Sequence, residues 1–389
     1  MKHQNEYRDP ELARLQLQAI RETVAGFDHT MTLMEVCGTH TMAIYQHGIR
    51  SLLPEQVRLI SGPGCPVCVT PVGYVDQAIA LARRVDTIIA TFGDMVRVPG
   101  SSTCLLHEQA RGADVKIVYS PLDAVTLAEK NPASDVVFLG VGFETTTPTI
   151  AGAVLTAEKK NLKNFYVLCS HKTMPAPMAA LAGDPELQVD GYLCPAHVSA
   201  IIGAKAYQPL VDAFHVPCVI TGFEPLDVLQ GVLMLARQIV AGETRVETQY
   251  RRVVKPEGNL KAREILYRVF EPCDANWRGI GNIPDSGLQL REAYARFDAD
   301  RALPVEVEPT VEHKGCLCGE ILKGKVRPVD CLLFRTTCTP EDPVGACMVS
   351  SEGTCAAEYK YGDWGLGAGK SSLLASSPQS PVPGPQPPE

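Results

Sequence analysis

The sequence predicts an α/β protein with two similar domains, each a parallel four-stranded sheet flanked by helices, followed by a cysteine-rich C-terminal domain. Short apolar runs alternate with helical patterns of about 10 to 15 residues, which is typical of βαβ units. A chain of 389 residues is also longer than one hydrophobic core usually grows. After residue 245 the alternation fades, and six of the fourteen cysteines fall between Cys316 and Cys355.

The predicted strands are eight apolar runs, each followed by a small or polar turn. They cover residues 32–36, 57–60, 87–90, 115–119, 136–139, 165–168, 191–193 and 218–220. The predicted domains are a first α/β domain at 1–133, a second at 134–244 and a third at 245–365. The Ser- and Pro-rich tail at 366–389 is expected to be disordered.

Proline and capping residues mark the starts of three helices. Ser120 is a predicted N-cap, Pro121 a first helical residue, and Asp123 an acid in the first turn. Similar pairs with proline at 70–71 and 224–225 precede two further apolar-periodic segments. The sequence therefore predicts a helix directly after several strand ends.

Charge and apolar patterning exclude two classes of partner. The formal net charge is -8, so the chain lacks the excess of Lys and Arg that attracts nucleic acid or anionic lipid. The first residues carry charge throughout without the apolar segment of a signal peptide, and no apolar run is long enough to cross a bilayer. We therefore expect a cytoplasmic protein, in which clustered cysteines indicate metal or redox chemistry more than a disulfide framework.

Reactive side chains follow the first two predicted strands. Cys37 and His40 come after the first strand, and Cys65 and Cys68 come after the second, within the stretch GPGCPVC. The carboxyl ends of parallel strands meet at one edge of a sheet, where ligands bind in open α/β folds. We therefore expect the three sulfurs to share one edge, with the His40 ring within reach of the same ligand.

The spacing of Cys65 and Cys68 is typical of a redox pair or half of a metal site. The flanking glycines and prolines are expected to hold the loop without covering the sulfurs, and the helix start that follows favours thiolate. This favours a redox or transient-metal role, and half of a structural zinc site is the alternative. For Cys37 the alternative is a buried, inert thiol, and for His40 it is a hydrogen-bonded turn histidine.

Wide spacing characterises the C-terminal cysteines. Cys316, Cys331, Cys338 and Cys355 follow the pattern C-x14-C-x6-C-x16-C, with Cys318 and Cys347 left over. Four thiolates suit zinc or an iron-sulfur cluster. Zinc modules usually contain two tight C-x2-4-C pairs, so the wide spacing favours a cluster, in which Cys318 could in principle replace Cys316.

Six short motifs occur between Glu6 and Tyr361. They are MEVCGTHT, GPGCPVC, FGDMVRVPG, GFETT, QYRRVV and MVSSEG. Together with the four-cysteine spacing, this set resembles the HypD family of hydrogenase maturation factors. The resemblance implies two similar α/β domains, a third domain holding a [4Fe-4S] cluster, and a scaffold on which the iron of [NiFe]-hydrogenase becomes the Fe(CN)2CO moiety.

The resemblance also implies roles for particular residues. Cys37 would bind the transferred iron, and Cys65 with Cys68 would supply electrons or assist ligand attachment. Glu352 matches a family acid that faces the cleft and would handle protons. His40 belongs to the predicted site because of its position after Cys37, not because of the resemblance. The cluster ligands would be Cys316, Cys331, Cys338 and Cys355, whereas Cys318 and Cys347 would be structural. The implied partners are HypC, which shares the iron, and HypE and HypF, which deliver cyanide.

Two other functions stay open at the level of the sequence. The first is a general dithiol/disulfide oxidoreductase that uses the cluster as its electron source. The second is a zinc-stabilised binding module, which needs no exposed thiols. A third cysteine near the pair, and the lack of a thioredoxin-like Trp beside it, favour the assembly scaffold.

Overall fold

The computed structural model describes residues 5–362, in which the strands form two sheets. The predicted tail at 366–389 lies outside the described residues. The strands are β1 (Met31–Glu35), β2 (Val57–Ser61), β3 (Thr87–Thr91), β4 (Asp114–Ile117), β5 (Asp135–Gly142), β6 (Phe165–Lys172), β7 (Gly191–Pro195), β8 (Cys218–Thr221), β9 (Val246–Thr248), β10 (Phe270–Trp277) and β11 (Gly281–Leu290). The α-helices are α1 (Pro10–Val24), α2 (Gly38–Gln46), α3 (Ile49–Leu52), α4 (Val72–Ala82), α5 (Leu105–Ala110), α6 (Pro121–Lys130), α7 (Thr147–Lys159), α8 (Pro175–Ala182), α9 (Ala196–Ile202), α10 (Gln208–Phe214), α11 (Pro225–Val240), α12 (Leu260–Val269), α13 (Ala299–Ala302), α14 (Cys318–Leu322), α15 (Ala346–Val349) and α16 (Thr354–Tyr361). Short 3-10 helices cover Asn5–Arg8, Gly93–Arg97, Ala204–Tyr207, Glu292–Phe297 and Pro328–Asp330.

The first sheet is wholly parallel, with the strand order β2-β1-β7-β8-β9. Strand β1 pairs with β2 from Met31 opposite Val57, and with β7 from Leu33 opposite Gly191. Every residue of β1 is buried, which is typical of a parallel sheet covered on both faces. The carboxyl ends of β1 and β2 therefore lie side by side.

The second sheet is mixed, with the order β10-β11-β6-β5-β3-β4. Strands β3 to β6 are parallel, whereas β10 and β11 form an antiparallel hairpin. The hairpin joins the sheet antiparallel to β6, with Gly287 opposite Lys172.

All eight predicted strands are present, as β1 to β8. The prediction of four strands per sheet is wrong, because the sheets have five and six strands. Each predicted half also contributes to both sheets: β1 and β2 join β7 and β8, whereas β3 and β4 join β5 and β6. Order along the chain does not determine pairing, since any βα unit can cross to either sheet.

Strands β9, β10 and β11 were not predicted from the sequence. Strand β9 has three half-buried residues, too few to show a period. Strands β10 and β11 each contain a proline and mix polar with apolar residues, and exposed residues alternate with buried ones along much of β10. The patterns of β10 and β11 are typical of antiparallel strands with one solvated face. All three strands lie in the predicted third domain, where β9 extends the first sheet and β10 and β11 extend the second.

Three helix starts agree closely with the sequence. Ser120 caps α6 in a capping box with Asp123, and α6 begins at Pro121 as predicted. Helix α11 begins at Pro225. Helix α4 begins at Val72, one residue later than the prediction.

The chain after β11 forms short helices and turns packed against both sheets. Its longest α-helix, α16, has eight residues and packs on α2. Arg97 donates hydrogen bonds to the carbonyls of Pro340 at 3.0 Å and Val349 at 3.1 Å. Within residues 5–362, no helix combines the length and apolar character needed to cross a membrane.

Candidate thiol and metal site

Cys37 lies where β1 ends and α2 begins. Its backbone N–H donates to the Glu35 carboxylate at 3.2 Å, and the next N–H, of Gly38, donates to the carbonyl of Gly64 at 3.1 Å. A Cβ on Gly64 would lie 2.2 Å from the Cys37 nitrogen, so only glycine permits this approach. The loops that carry Cys37 and Cys65 are therefore in direct backbone contact, as the pairing of β1 with β2 requires.

Glu35 is a buried carboxyl directly behind Cys37. Besides the bond from the Cys37 backbone, it accepts a hydrogen bond from the Thr41 hydroxyl at 2.5 Å. Burial raises the pKa of Glu35 to about 7, although hydrogen bonds from Ser61 and Thr41 oppose the shift. This carboxyl fixes the turn between β1 and α2, and the sequence analysis gave it no role.

Cys65 and Cys68 are covered. Their exposed fractions are 4% and 0%, and they belong to one apolar cluster with Met348 and Trp277. The expectation that the sulfurs are uncovered is therefore wrong, because the chain after β11 and the hairpin turn pack over the loop. The Cys68 backbone N–H donates to the Cys65 sulfur at 3.3 Å, which holds the pair together.

Burial, not a helix terminus, dominates the acidity of the Cys68 and Cys37 thiols. It raises the pKa of Cys68 well above its ordinary value. It also raises the pKa of Cys37 to about 12, and the negative charge of Glu352 acts in the same direction. The expectation that the following helix favours thiolate at Cys68 is wrong, since α4 begins only at Val72 and desolvation opposes charge.

Glu352 lies against the residues that follow Cys37. Its carboxylate accepts a hydrogen bond from the Thr39 hydroxyl at 2.7 Å. A Cβ on Gly38 would lie 2.4 Å from the Glu352 Cβ, so glycine allows the acid to approach the cysteine. Desolvation lowers the pKa of the surface residue His197, and the charge of Glu352 opposes that shift. Cys37, Glu352 and His197 therefore lie close together although they are far apart in sequence.

His40 is anchored to the first sheet. Its Nε2 donates to the carbonyl of Gly222 at 2.9 Å, and its ring packs beside Phe223. Burial lowers the pKa of His40 to about 4, so the ring is neutral at pH 7. Its Nδ1 has no hydrogen-bond partner within the described residues. The observed contacts favour the alternative of a hydrogen-bonded histidine, and a role in ligand binding stays a prediction.

All six C-terminal cysteines line one pocket. They are Cys316, Cys318, Cys331, Cys338, Cys347 and Cys355, and the apolar side chains of Ile321, Leu333, Phe334 and Met348 complete the wall. The sulfurs of Cys318 and Cys347 lie 3.0 Å apart. The Cys347 thiol also interacts with that of Cys68, so it lies between the pocket and the Cys65–Cys68 pair.

The donor set of this pocket fits an iron-sulfur cluster by its chemistry. Soft thiolates select zinc, copper(I) and iron-sulfur clusters, and the wall offers no oxygen ligand among its side chains. Within residues 5–362, no three His, Cys, Asp or Glu side chains are arranged to hold a single metal ion. The thiols of Cys318 and Cys347 also interact with those of Cys316 and Cys355, so the choice of Cys316, Cys331, Cys338 and Cys355 as the four ligands stays a prediction.

The structure is that of an α/β protein with buried thiols at the carboxyl edge of a parallel sheet, next to a second pocket of thiols. The family described as "HypD: Hydrogenase formation hypA family" matches residues 11–362. The chain therefore belongs to the HypD family of hydrogenase maturation factors.

Relatives from several bacteria match nearly the whole chain. The hydrogenase maturation factor HypD of Azotobacter vinelandii is 50% identical over 369 residues, covering 93% of this chain and 97% of the relative. That of Escherichia coli strain K12 is 46% identical over 368 residues, covering 93% and 98%. That of Rhodobacter capsulatus is 44% identical over 371 residues, again covering 93% and 98%.

Proposed function

We propose that the chain is a scaffold and redox protein for assembly of the Fe(CN)2CO moiety of [NiFe]-hydrogenase, acting with HypC and receiving cyanide through HypE and HypF. The proposal rests on one observation: Cys347 lines the six-cysteine pocket and its thiol also contacts that of Cys68, so the two groups of thiols touch. A scaffold that only held iron would not need this path. Membership of the hydrogenase maturation family supports the same reading.

Cys37 is the proposed ligand of the iron cargo. A thiol must lose its proton to bind metal, and burial together with Glu352 opposes that loss. In this proposal the cargo iron supplies the compensating positive charge, and the Glu352 carboxylate, which accepts a hydrogen bond from Thr39, takes the proton. Because Cys37 is only 8% exposed, the proposal requires a local opening for the cargo to reach its sulfur.

The Cys65–Cys68 pair is the proposed local electron source. Its oxidation to a disulfide breaks two S–H bonds, forms one S–S bond, releases two protons and passes two electrons to the cargo during ligand attachment. The Cys318–Cys347 dithiol can reduce that disulfide by thiol exchange through the contact between Cys347 and Cys68, which leaves a Cys318–Cys347 disulfide for the cluster to reduce. Cys316, Cys331, Cys338 and Cys355 would hold a [4Fe-4S] cluster, which supplies single electrons when bound.

Anaerobic isolation tests the resident cluster. We expect about four irons and four acid-labile sulfides per chain. Stoichiometric zinc without sulfide would contradict the proposal and favour the zinc-stabilised binding module.

Vibrational spectra test the cargo site. The complex with HypC should show bound cyanide and carbonyl stretches, and Cys37→Ala should remove them while leaving iron and sulfide in the six-cysteine pocket. Retention of these bands in Cys37→Ala would remove the role of Cys37.

A general dithiol/disulfide oxidoreductase is the second candidate. The C-x-x-C pair and its thiol neighbours favour it, whereas burial of both sulfurs opposes reaction with unrelated disulfides. Turnover of a model disulfide such as insulin, with Cys65→Ser as the control, separates the two. Activity comparable with that of a thioredoxin would favour the oxidoreductase.

A further inference from the structure

Arg278 is a buried arginine at the turn between β10 and β11. Its exposed fraction is 7%, and no other arginine within residues 5–362 is buried to that degree. A guanidinium always carries its charge, so burial is costly unless an anion compensates it. The position of this side chain therefore requires a partner.

Within the described residues, no carboxylate pairs with Arg278. Its Nη1 is buried without a hydrogen-bond partner, and its Nη2 reaches only the carbonyl of Pro99, at 3.5 Å. Arg97 behaves differently, because both of its terminal nitrogens donate to carbonyl oxygens at 3.0 and 3.1 Å. Arg278 thus has donor capacity and charge that the chain leaves unused.

The turn places Arg278 between the two groups of thiols. Its backbone N–H donates to the carbonyl of Val69 at 2.9 Å, beside Cys68. The next residue, Gly279, packs on Gly319: a Cβ on Gly279 would lie 2.1 Å from the Gly319 Cα, beside Cys318. Val344, which lines the same surface pocket as Arg278, also donates its backbone N–H to the Cys338 sulfur at 3.4 Å.

We propose that Arg278 is the buried counter-ion of the thiolate-bound group in the six-cysteine pocket. This inference rests on the proposed [4Fe-4S] cluster. Four thiolates around such a cluster carry net negative charge, and one-electron reduction adds one more negative charge. A fixed cation nearby stabilises the reduced state more than the oxidised state, so Arg278 raises the reduction potential of the cluster.

A small anion in solution is the competing partner. Arg278 lines a surface pocket that also contains Arg97, His107 and His313. Three acids, Glu312, Glu341 and Asp342, line the same pocket and oppose an anion there. The buried Nη1 also favours a partner inside the protein.

The test compares Arg278→Gln, Arg278→Lys and the wild type as full chains, isolated anaerobically. Iron and sulfide are counted first, and the cluster is then titrated with a redox dye series and followed by electron paramagnetic resonance. We expect Arg278→Gln to hold its cluster with a reduced-to-oxidised ratio at least about tenfold lower at a fixed solution potential, which is a shift of about 59 mV for one electron. Arg278→Lys keeps the charge and should stay near the wild type. Arg111→Gln, which removes an exposed arginine paired with Glu108, is the matched control and should not shift the potential.

The outcomes separate the counter-ion role from the proposed function. A wild type without acid-labile sulfide would refute the proposed cluster before any potential is measured. Intact clusters with equal potentials in Arg278→Gln and the wild type would overturn the counter-ion role and favour a small anion or a packing role. If Arg278→Gln does not load iron, the test rests on Arg278→Lys. A cluster in Arg278→Lys with the wild-type potential would support the counter-ion role, whereas a folded Arg278→Lys protein without a cluster would assign Arg278 to packing.

Discussion

The two thiol-bearing regions of the molecule differ in what holds their cysteines in place. Cys37, Cys65 and Cys68 lie on loops that follow paired parallel strands, so the backbone ladder of the first sheet positions them. The six C-terminal cysteines lie on turns and on helices of at most eight residues, and the thiols themselves form much of the local core. The first region is built like an ordinary α/β edge, whereas the second has the sparse secondary structure of small domains that depend on a bound metal, which fits the proposed cluster.

This difference predicts that metal removal affects the two regions unequally. We expect Cys331→Ser to reduce the content from about four irons and four sulfides per chain to near zero, because one ligand of the set is lost. We also expect faster hydrogen exchange at 315–362, with little change in β1 to β8. Metal analysis and hydrogen exchange followed by mass spectrometry measure the two effects.

Cys104→Ser is the matched control for that experiment. Cys104 is buried at the N-cap of α5 and belongs to neither group of thiols, and serine is a good capping residue. It should retain iron, sulfide and the exchange pattern. Equal exchange at 315–362 in wild type and Cys331→Ser would show that the C-terminal region folds without its metal.

Backbone contact makes the first region sensitive to one methyl group. Gly64→Ala would place a Cβ 2.2 Å from the Cys37 nitrogen, so one loop must move. We expect a loss of roughly 2–4 kcal/mol in the free energy of unfolding, together with loss of cargo iron at Cys37. Denaturant unfolding of the full chain and iron loading in the presence of HypC measure these effects.

Gly152→Ala provides the control, since nothing lies within 4 Å of its added Cβ and it is inside α7. There alanine should stabilise the helix by about 0.5–1 kcal/mol. If Gly64→Ala matched Gly152→Ala in stability and loading, the close approach of the two loops would not position Cys37.

The same contrast explains what could be predicted from sequence. The eight strands of the parallel parts show short apolar runs followed by capped helices, and β1 next to β2 put Cys37 and Cys65 on neighbouring loops as expected. Strand periodicity does not report which sheet a strand joins, so the division into four and four strands was wrong. Burial of Cys65 and Cys68 depends on Met348 and Trp277, which lie hundreds of residues away in sequence.

Contacts between side chains that are far apart in the sequence were the hardest to predict. Cys318 and Cys347 lack the tight spacing of a redox pair, and their contact at 3.0 Å arises only when α14 and α15 pack around one pocket. Arg278 looks like an ordinary turn residue in the sequence, and its charge becomes informative only once burial is known. Glu35 could have been noticed, since it lies two residues before Cys37 at the end of an apolar strand.

The rate at which Cys37 is alkylated measures how strongly Glu352 influences the acidity of the Cys37 thiol. Glu352 raises the pKa of the Cys37 thiol, so Glu352→Gln should lower that pKa and increase the thiolate fraction at any pH below it. At pH 8 we expect about three- to tenfold faster reaction with iodoacetamide, since one pKa unit is tenfold in thiolate. The Cys37 peptide is quantified by mass spectrometry. For wild type the rate should rise about tenfold per pH unit between pH 7 and 10, because the pKa is about 12.

Glu158→Gln, which neutralises an exposed acid on α7, controls for the change in net charge. It should leave the rate at Cys37 unaltered. Equal rates in Glu352→Gln and Glu158→Gln would mean that Glu352 does not influence the thiol, and its proposed part in proton transfer would fail with it.

The smallest effect is expected for a change at the start of α6, a helix that packs on the second sheet and carries no thiol. The Ser120 hydroxyl accepts from the Leu122 N–H at 3.2 Å and Asp123 accepts from the Ser120 N–H at 2.9 Å, so Ser120→Ala removes half of the capping box of α6. We expect a loss of about 1 kcal/mol in the free energy of unfolding, with a smaller loss for Ser120→Thr, which retains a capping hydroxyl. Iron and sulfide contents should be unchanged in both variants. If Ser120→Ala loses stability but keeps its metal while Cys331→Ser loses its metal, the sheets and the six-cysteine pocket are stabilised separately. If Ser120→Ala loses both stability and metal, the two parts are stabilised together.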